Sequence, residues 1–439
     1  MQRKRLTISE GKPPTQERTA EAPRAGRAAR RVRLGVAVAA AAAGVHGAAL
    51  AQTAIEDSVA NRPRPDFDPI GLAVGPAESF RLFPTLGFAT EYTDNLFRTE
   101  NDEVSDEIFL ISPGFNLRSD WVRHSMVIGA TATIARHVEN ASENWVDFDS
   151  HASGRLDIGD GGNVTVTAAL RRGHEARGSP NDQAQSEPTV FYVGSLDIAG
   201  AYAVGALAFR AELAARRRDF RDAGALNNDD RDRDEFELRG RVAYEVVPGS
   251  AAFVEGAVDI RDFDDRFDDN GFARSSDGYE LLAGGSFDIS GVTFAEIGVG
   301  YRRQKFDDPT LKPAAGFSFS GRLTWNPTDL LSVNGTIRRL VRETTVAGAS
   351  AAFSSVFTLA ADYEARDNLV LNARVEYEIE DFKGVDRSDD LLTLDLGARY
   401  MIGSLVSLGA GWTFEDRISD APGDGYTANT LRLTATLRF

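Results

Sequence analysis

Cysteine is absent from this sequence of 439 residues, which excludes a disulfide framework and thiol chemistry. Basic residues are also few: beyond residue 51 the chain has 39 Lys and Arg against 63 Asp and Glu, a net charge of −24. This charge argues against nucleic acid as a partner, because phosphate binding requires a basic surface. The same part of the chain lacks any run of the roughly 20 apolar residues that a membrane-spanning helix needs. If this protein spans a membrane, it therefore does so with strands.

The N-terminal region has the pattern of a secretory signal. Residues 1–33 are polar and become basic at their end, and an alanine-rich apolar run follows from Leu34. The run closes with the small residues Ala49 and Ala51, which predicts a signal peptide over residues 1–51 with cleavage after Ala51. The alternative is one anchoring helix, but the run is short for a membrane span and ends in a cleavage pattern.

An alternation of apolar and polar residues recurs from Phe80 to the end of the chain. In "LVLNARVEYEIED", which begins at Leu369, apolar residues occupy one face of a strand and charged or amide residues the other. A soluble sandwich would show the same alternation with its apolar face inward. The segments run about 14 to 18 residues, however, against about 5 or 6 for globular strands, and the small apolar residues suit a lipid-facing wall.

Counting these segments predicts the fold. There are eighteen, from Phe80–Thr93 through Trp121–Val138 as the third to Tyr426–Phe439, with tight turns and longer loops alternating between them. An even number of antiparallel strands with this alternation is typical of a single transmembrane up-and-down β-barrel, with both termini in the periplasm. We therefore predict an all-β protein whose barrel covers residues 80–439.

The stretch between signal and barrel, residues 52–79, is rich in proline and aspartate. "NRPRPDFDP", from Asn61 to Pro69, has too many prolines for helix or sheet, and we expect an extended periplasmic segment. It is either a simple tether, or a segment that plugs the lumen or docks a periplasmic partner.

This lead-in and the first strand resemble a known family. Arg81-Leu82-Phe83-Pro84, followed by Tyr92, Asp94, Asn95 and Phe97, is similar to the opening of the putative β-barrel porin 2 group of bacterial outer-membrane proteins. Thr93 departs from the acidic residue expected there. The resemblance implies the outer membrane of a Gram-negative bacterium. It also implies a conduit that exports a secreted polysaccharide together with a periplasmic polysaccharide-export protein.

The polar face of the strands predicts the lining of the lumen. An eighteen-strand barrel is wide enough for water and a hydrated chain. Mixed charges would let a glycan slide by exchanging weak hydrogen bonds, or they would form ion-pair ladders that stiffen the wall, and both can hold together. The predicted lining residues are Arg210, Glu212, Arg239, Arg241, Glu255, Asp259, Glu296, Arg302, Arg338, Arg374, Glu376, Asp395, Arg399 and Arg432.

The last strand suggests how the barrel reaches its membrane. Leu433, Ala435 and Leu437 alternate before the terminal aromatic Phe439, like the signal recognised by the outer-membrane barrel-assembly machinery. An ordinary last strand that ends in Phe is the alternative. Outer-membrane lipid and lipopolysaccharide are the other expected partners of the outer wall.

Other readings of the polar residues are weaker. The acidic loops at 227–235 and 261–270 lack the Gly and Glu of an ordered calcium loop, so we expect a solvated extracellular rim and no metal or other cofactor. His137 and His151, near Asp147 and Asp149, could form a carboxylate–imidazole pair that activates water, but we expect no enzyme.

A general diffusion porin is the stronger rival to polysaccharide export. A porin of this kind usually has a constriction loop that folds into the lumen. No connection in this sequence is obviously long enough for one, so we favour the export conduit.

Overall fold

The computed structural model describes Val59, residues 62–179, 181–182, 187–289 and 291–439. The predicted signal peptide at 1–51, with its cleavage residues Ala49 and Ala51, lies outside these described residues. Across the part of the chain that the structure describes, no helix combines the length and apolar character that a membrane crossing requires.

The described chain folds into eighteen long antiparallel strands that close into a barrel, with one short additional strand at the start. The prediction of an eighteen-strand closed barrel is confirmed. The strands are β1 (Leu72–Val74), β2 (Phe80–Thr93), β3 (Asp106–Ser119), β4 (Ser125–His137), β5 (Trp145–Ile158), β6 (Gly162–His174), β7 (Val190–Val204), β8 (Leu207–Phe220), β9 (Arg233–Val247), β10 (Ser250–Phe263), β11 (Ser276–Ile289), β12 (Thr293–Phe306), β13 (Ala314–Thr328), β14 (Leu331–Arg342), β15 (Ala351–Arg366), β16 (Leu369–Lys383), β17 (Ser388–Ile402), β18 (Val406–Ser419) and β19 (Tyr426–Arg438).

The wall separates apolar from polar side chains because successive residues of a strand point to opposite faces. On β16, Leu371, Val375 and Tyr377 are exposed on the outer surface, while Arg374 and Glu376 lie on the inner face. Aromatic side chains mark both ends of the outer surface, as in transmembrane barrels. They include Tyr202, Tyr244, Tyr363 and Tyr400 at one end, and Tyr279, Tyr301, Phe317 and Tyr377 at the other.

The barrel closes between its last and first long strands. β19 pairs with β2 from Arg438 opposite Thr85 to Thr430 opposite Thr93. β1 then pairs with the remaining start of β2, Phe80 to Leu82, on the edge that β19 does not reach. Backbone hydrogen-bonding groups along this β19–β2 junction are therefore paired over most of its length, which removes an open edge from the wall.

Connections at the two ends of the barrel differ in length. The end where β2 begins and β19 ends, which we call the turn side, has short connections such as Val204 to Leu207, where Gly205 takes φ 57°. The opposite end, the loop side, carries longer connections, among them 94–105, 175–189, 221–232 and 264–275.

Two local expectations were wrong. The third strand begins at Ser125 and not at Trp121. The lead-in at 52–79 is not extended throughout its described part: residues 64–68 form a turn in which the Asp68 carboxylate accepts the Arg64 amide at 2.5 Å. β1 follows, and then a 3-10 turn over Pro76–Glu78. Proline excludes regular structure but permits turns, and the Asp68 side chain supplies the acceptor that closes this one.

Candidate functional site: the lumen and its two mouths

All fourteen predicted lining residues lie on the inner face of the wall. Most of their strand neighbours are glycine or apolar side chains on the outer surface, for example Leu238 and Val242 around Arg239 and Arg241. Arg302 and Arg338 differ, because each is followed by a second arginine. Eighteen strands at about 4.8 Å spacing, tilted by about 40°, give a backbone cylinder of roughly 35 Å diameter, wide enough for an aqueous lumen.

The charges of the wall are largely neutralised by one another. Arg239 lies within 2.6 Å of Glu255 and 3.3 Å of Glu280, and Arg241 makes a two-pronged contact with Glu296 at 2.9 and 2.8 Å. These ladders cross three or more strands and brace the wall from inside. Further pairs are Arg210 with Glu212, Arg302 with Asp259, Arg374 with Glu376 and Asp395, and Arg432 with Glu91.

Two of the predicted lining arginines differ from the rest. Arg338 and Arg399 form no ion pair within 4.0 Å among the described residues, so their charges act on the lumen unneutralised by direct contact. Arg399 lies near the turn side, opposite Val370 of β16.

The connection between β6 and β7 covers residues 175–189, and its described residues 175–179 and 181–182 fold into the loop-side mouth. The Gly178 carbonyl accepts a hydrogen bond from Arg417, which is buried on the inner face of β18 and also pairs with Asp389. Farther along, the Asn181 side chain accepts the Thr345 amide at 3.0 Å. Thr345 belongs to the β14–β15 connection, which stands eight strands away around the barrel and so almost opposite.

Gly178 makes this crossing possible. Its φ of +74° favours glycine, and a Cβ there would lie 2.5 Å from the Arg98 Cβ and 2.8 Å from the Tyr426 ring. The expectation that no connection is long enough to fold inward is therefore wrong. Asn181 lies seven residues beyond the end of β6, and seven residues span roughly 23 Å at 3.3 Å each, which is enough to cross a lumen already narrowed by side chains.

The other mouth is narrowed by the N-terminal segment, which we define as Val59 with residues 62–68. Val59 is fully buried, donates its amide to Ser332 at 2.7 Å and packs against Val370 and Met401 of the inner wall. Of the two readings of this region, the described contacts fit a segment that lies inside the barrel.

Arg64 anchors this segment. Its side chain is 7% exposed and donates to the Val59 carbonyl at 2.8 Å and to Glu364 of β15 at 3.0 Å. Arg438 of β19 donates to the Phe67 carbonyl at 3.1 Å. The segment therefore contacts inner-wall residues on several strands at the turn side.

A cavity of about 740 Å³ lies beside the crossing loop at the loop side. Within it, the Arg231 guanidinium stacks 4.0 Å from the centre of the Phe220 ring and pairs with Glu175, while burial raises the pKa of the lining carboxyl of Asp230. Its charged lining is balanced: Arg218, Arg231, Arg233, Arg261, Arg274 and Arg342 with Glu175, Asp230, Glu235, Asp268, Asp269 and Glu343.

The carboxylate–imidazole pair that forms is not the expected one. His174 contacts both carboxylate oxygens of Asp147 at 3.1 Å, and its ring stacks on Trp145 at 4.4 Å. His151 instead lies opposite Ala169 on β6, and the Nδ1 atom of buried His137 finds no hydrogen-bond partner among the described residues. The pairing of His137 or His151 with Asp147 or Asp149 was wrong, because His174 closes the end of β6 against Asp147.

The family-like motif stabilises the junction between β19 and β2. The Asp94 carboxylate accepts the amide and the side chain of Asn429 on β19, at 2.7 and 2.8 Å. Asn95, almost fully buried, donates to the carbonyls of Thr99 and Thr427. The corner therefore ties the first loop to the last strand. Tyr92 and Phe97 flank it, and Thr93 receives a hydrogen bond from Arg98.

The residues of the predicted assembly signal and the acidic loops also have definite positions. Leu433 and Phe439 are exposed on the outer surface at the end of β19, on the same face as Ala435 and Leu437. The two acidic loops touch where the Asp269 amide donates to Asp230. The described residues contain no cluster of three or more potential metal ligands.

A sequence comparison decides the family of this barrel. Residues 64–439 match the family described as "Putative beta-barrel porin 2". The chain belongs to this family. Membership of this family and the closed barrel place the porin in the outer membrane of a Gram-negative bacterium. No curated protein matches its sequence.

Solved outer-membrane barrels resemble the porin in architecture. OccK3 (OpdO) of Pseudomonas aeruginosa is 13% identical with a TM-score of 0.44, covering 82% of this chain and 96% of that one. OccAB3 of Acinetobacter baumannii is 12% identical with a TM-score of 0.43, covering 82% and 99%. A mutant of the ferric enterobactin receptor PfeA of P. aeruginosa is 10% identical with a TM-score of 0.43, covering 82% and 80%. Similarity at this level concerns the fold alone.

Proposed function

We propose that this porin is a passive, size-restricting channel for small polar solutes and that it catalyses no reaction. The observation that carries the proposal is the position of Gly178 and Asn181 in the β6–β7 connection. Gly178 contacts Arg417 on the inner face of β18, and Asn181 contacts Thr345 almost opposite. A segment held across the mouth excludes wide, hydrated polymers while leaving space for small molecules. We place the turn side in the periplasm, since short turns face that compartment in outer-membrane barrels.

Two further features support a restricted channel. The N-terminal segment occupies part of the turn-side mouth through Val59 and Arg64. The inner wall presents paired charges of both signs, which favours weak, rapidly exchanging contacts with polar solutes over one tight site.

Gly178→Ala tests the role of the crossing loop. The added Cβ would meet the Arg98 Cβ and the Tyr426 ring, so the loop must leave its position against Arg417. We expect vesicles containing this variant to take up tri- and tetrasaccharides several-fold faster than vesicles with the parent protein, and single channels to conduct more. Gly271→Ala is the matched control, because Gly271 has φ +84° in another loop but open space around it.

Export of a secreted polysaccharide, the function that the family resemblance implies, predicts a different outcome. Purified parent protein would then pass small sugars no faster than empty vesicles. A strain lacking the gene would lose secreted polymer and accumulate it in the periplasm. That pair of results would overturn the porin proposal, whereas size-dependent uptake that Gly178→Ala relaxes would support it.

A further inference from the structure

The barrel wall contains a gap in its hydrogen-bonded ladder. Between β13 and β14 the paired register begins at Ser320 opposite Arg338, although β13 starts at Ala314 and β14 continues to Arg342. β12 and β15 pair with these same end segments normally. The loop-side halves of β13 and β14 therefore separate, and we call this gap the seam.

The seam lies in the part of the wall that faces lipid. Phe317, on the free part of β13, is exposed on the outer surface opposite Tyr301 of β12. Unpaired backbone groups at this depth are strongly unfavourable in lipid unless protein or water satisfies them. The Arg339 side chain does so in part, since it donates to the Phe317 carbonyl at 3.4 Å.

Apolar side chains fill the seam in place of the missing ladder. Phe353 of β15 is 1% exposed and reaches past β14, because a Cβ on Gly316 of β13 would lie 3.6 Å from its ring. Val341 and Leu311 pack in the same cluster. Val341 also lines the loop-side cavity of about 740 Å³, so the apolar filling joins the cavity to the membrane face of the wall.

Positive charges surround the outer end of the seam. The Arg339 guanidinium and the Lys383 ammonium lie 4.7 and 5.2 Å from the centre of the Phe353 ring. Arg303 and Lys305 of β12 share the outer face next to β13. Two acidic groups offset part of this charge: Asp381 contacts Arg339 and Lys383, and Asp277 of β11 lies opposite Lys305, so four cations face two carboxylates. The rim of the seam therefore attracts anionic headgroups.

We propose that the seam is a lateral port for an anionic single-chain amphiphile of the fatty-acid class, which passes between the loop-side cavity and the outer leaflet. The carboxylate contacts the cationic rim or the arginines of the cavity. The acyl chain displaces the Phe353 ring and lies among Val341, Leu311 and the outer aromatic side chains. This role is additional to the diffusion of polar solutes along the barrel axis.

The absence of cysteine allows the port to be closed with a disulfide. The double variant Ser318→Cys/Leu340→Cys places a cysteine on each strand. These two positions would face each other if the pairing of Ser320 with Arg338 continued toward the loop side. Oxidation draws the strand ends together, and dithiothreitol releases them in the same molecules. The matched control is Thr324→Cys/Asn334→Cys, which links the two strands where they are already paired.

Binding of a dansyl-labelled undecanoic acid to protein held in amphipol measures the affinity of the port for an anionic acyl chain. We expect saturable binding to the parent, loss of about tenfold or more in affinity when the seam disulfide forms, and recovery on reduction. The control pair should bind equally in both redox states. Dodecanoate should displace the probe at several-fold lower concentration than dodecanol.

Three outcomes would overturn the port: no saturable binding to the parent, equal binding with the seam disulfide open and closed, or equal displacement by the acid and the alcohol. Each leaves the axial channel untouched, because sugar uptake through the barrel is measured separately.

Discussion

The ion pair that anchors the N-terminal segment can be broken by one nearly isosteric change, Glu364→Gln. Glu364 is the counter-charge of Arg64, and the side chains of the two are 9% and 7% exposed. Removing one partner of a buried pair typically costs about 3 to 5 kcal/mol, because the remaining charge is left uncompensated. Since glutamine still offers an acceptor, we take the lower end, about 3 kcal/mol, which changes the ratio of docked to released segment by roughly 150-fold.

The other contacts among the described residues are weaker. They are the burial of Val59 and Phe67, the amide bond of Val59 to Ser332 and the bond from Arg438 to the Phe67 carbonyl, each contributing about 1 to 2 kcal/mol. Arg62 also lies 3.8 Å from Glu364, and the substitution weakens that contact as well. A loss of about 3 kcal/mol therefore releases the segment in an appreciable fraction of molecules. The turn-side mouth then widens.

Thiol labelling reports this release directly. Val59→Cys introduces the one cysteine of the chain, at a site that is fully buried when the segment is docked. We expect Glu364→Gln to raise the rate of maleimide labelling by roughly two orders of magnitude and to increase single-channel conductance. Asp120→Asn is the control, because it breaks the exposed turn-side pair of Asp120 with Arg81 at 3.5 Å, which is worth about 0 to 1 kcal/mol. Labelling of Glu364→Gln within threefold of the parent would refute the reasoning.

Three other changes test separate parts of the barrel. Burial raises the pKa of Asp232 to about 6 from 3.8, so the folded loop binds a proton more tightly than the opened loop and gains about 1 kcal/mol of stability as the pH falls from 7 to 5. Hydrogen exchange of the Phe220 amide, which Asp232 accepts, should therefore slow about tenfold over that range after correction for the intrinsic rate. The Asp232→Asn variant should lose this pH dependence. Asp94→Ala removes both hydrogen bonds to Asn429 and should lower the free energy of unfolding in urea, followed by gel mobility, by about 3 kcal/mol, whereas an unchanged midpoint would contradict the role of this corner in closure. Arg399→Glu reverses an unpaired lumen charge and should shift the reversal potential in a KCl gradient toward cation selectivity; no shift would place Arg399 away from the ion path.

The local pattern of the sequence determined the wall. In a strand, a shift by one residue would turn every apolar side chain toward the lumen and every polar one toward lipid. The alternation along β16 or β9 therefore fixes which side chains face the lumen. The count of eighteen followed from the turns that separate the segments, because two-residue connections such as Gly205-Ala206 join adjacent antiparallel strands and no others.

The charges of the lumen were predictable in position but not in pairing. Arg241 and Glu296 lie on strands separated in sequence, and their contact depends on the stagger between β9 and β12. Likewise, Asp147 pairs with His174 and not with the expected His151, because the end of β6 brings His174 next to Asp147 of β5. Such contacts are set by geometry between strands that no single segment encodes.

The sequence by itself determined a transmembrane barrel, its strand number and its lumen face, because each follows from short-range periodicity and turn chemistry. Only the tertiary structure decided that the loop at 175–189 crosses to Arg417, that Arg64 docks on Glu364 and that β13 parts from β14 above Ser320. The physical reason is that these contacts join residues up to 300 positions apart, held near each other only after the wall has closed. Closure of the barrel brings these distant residues together and so determines the specific contacts that shape the lumen.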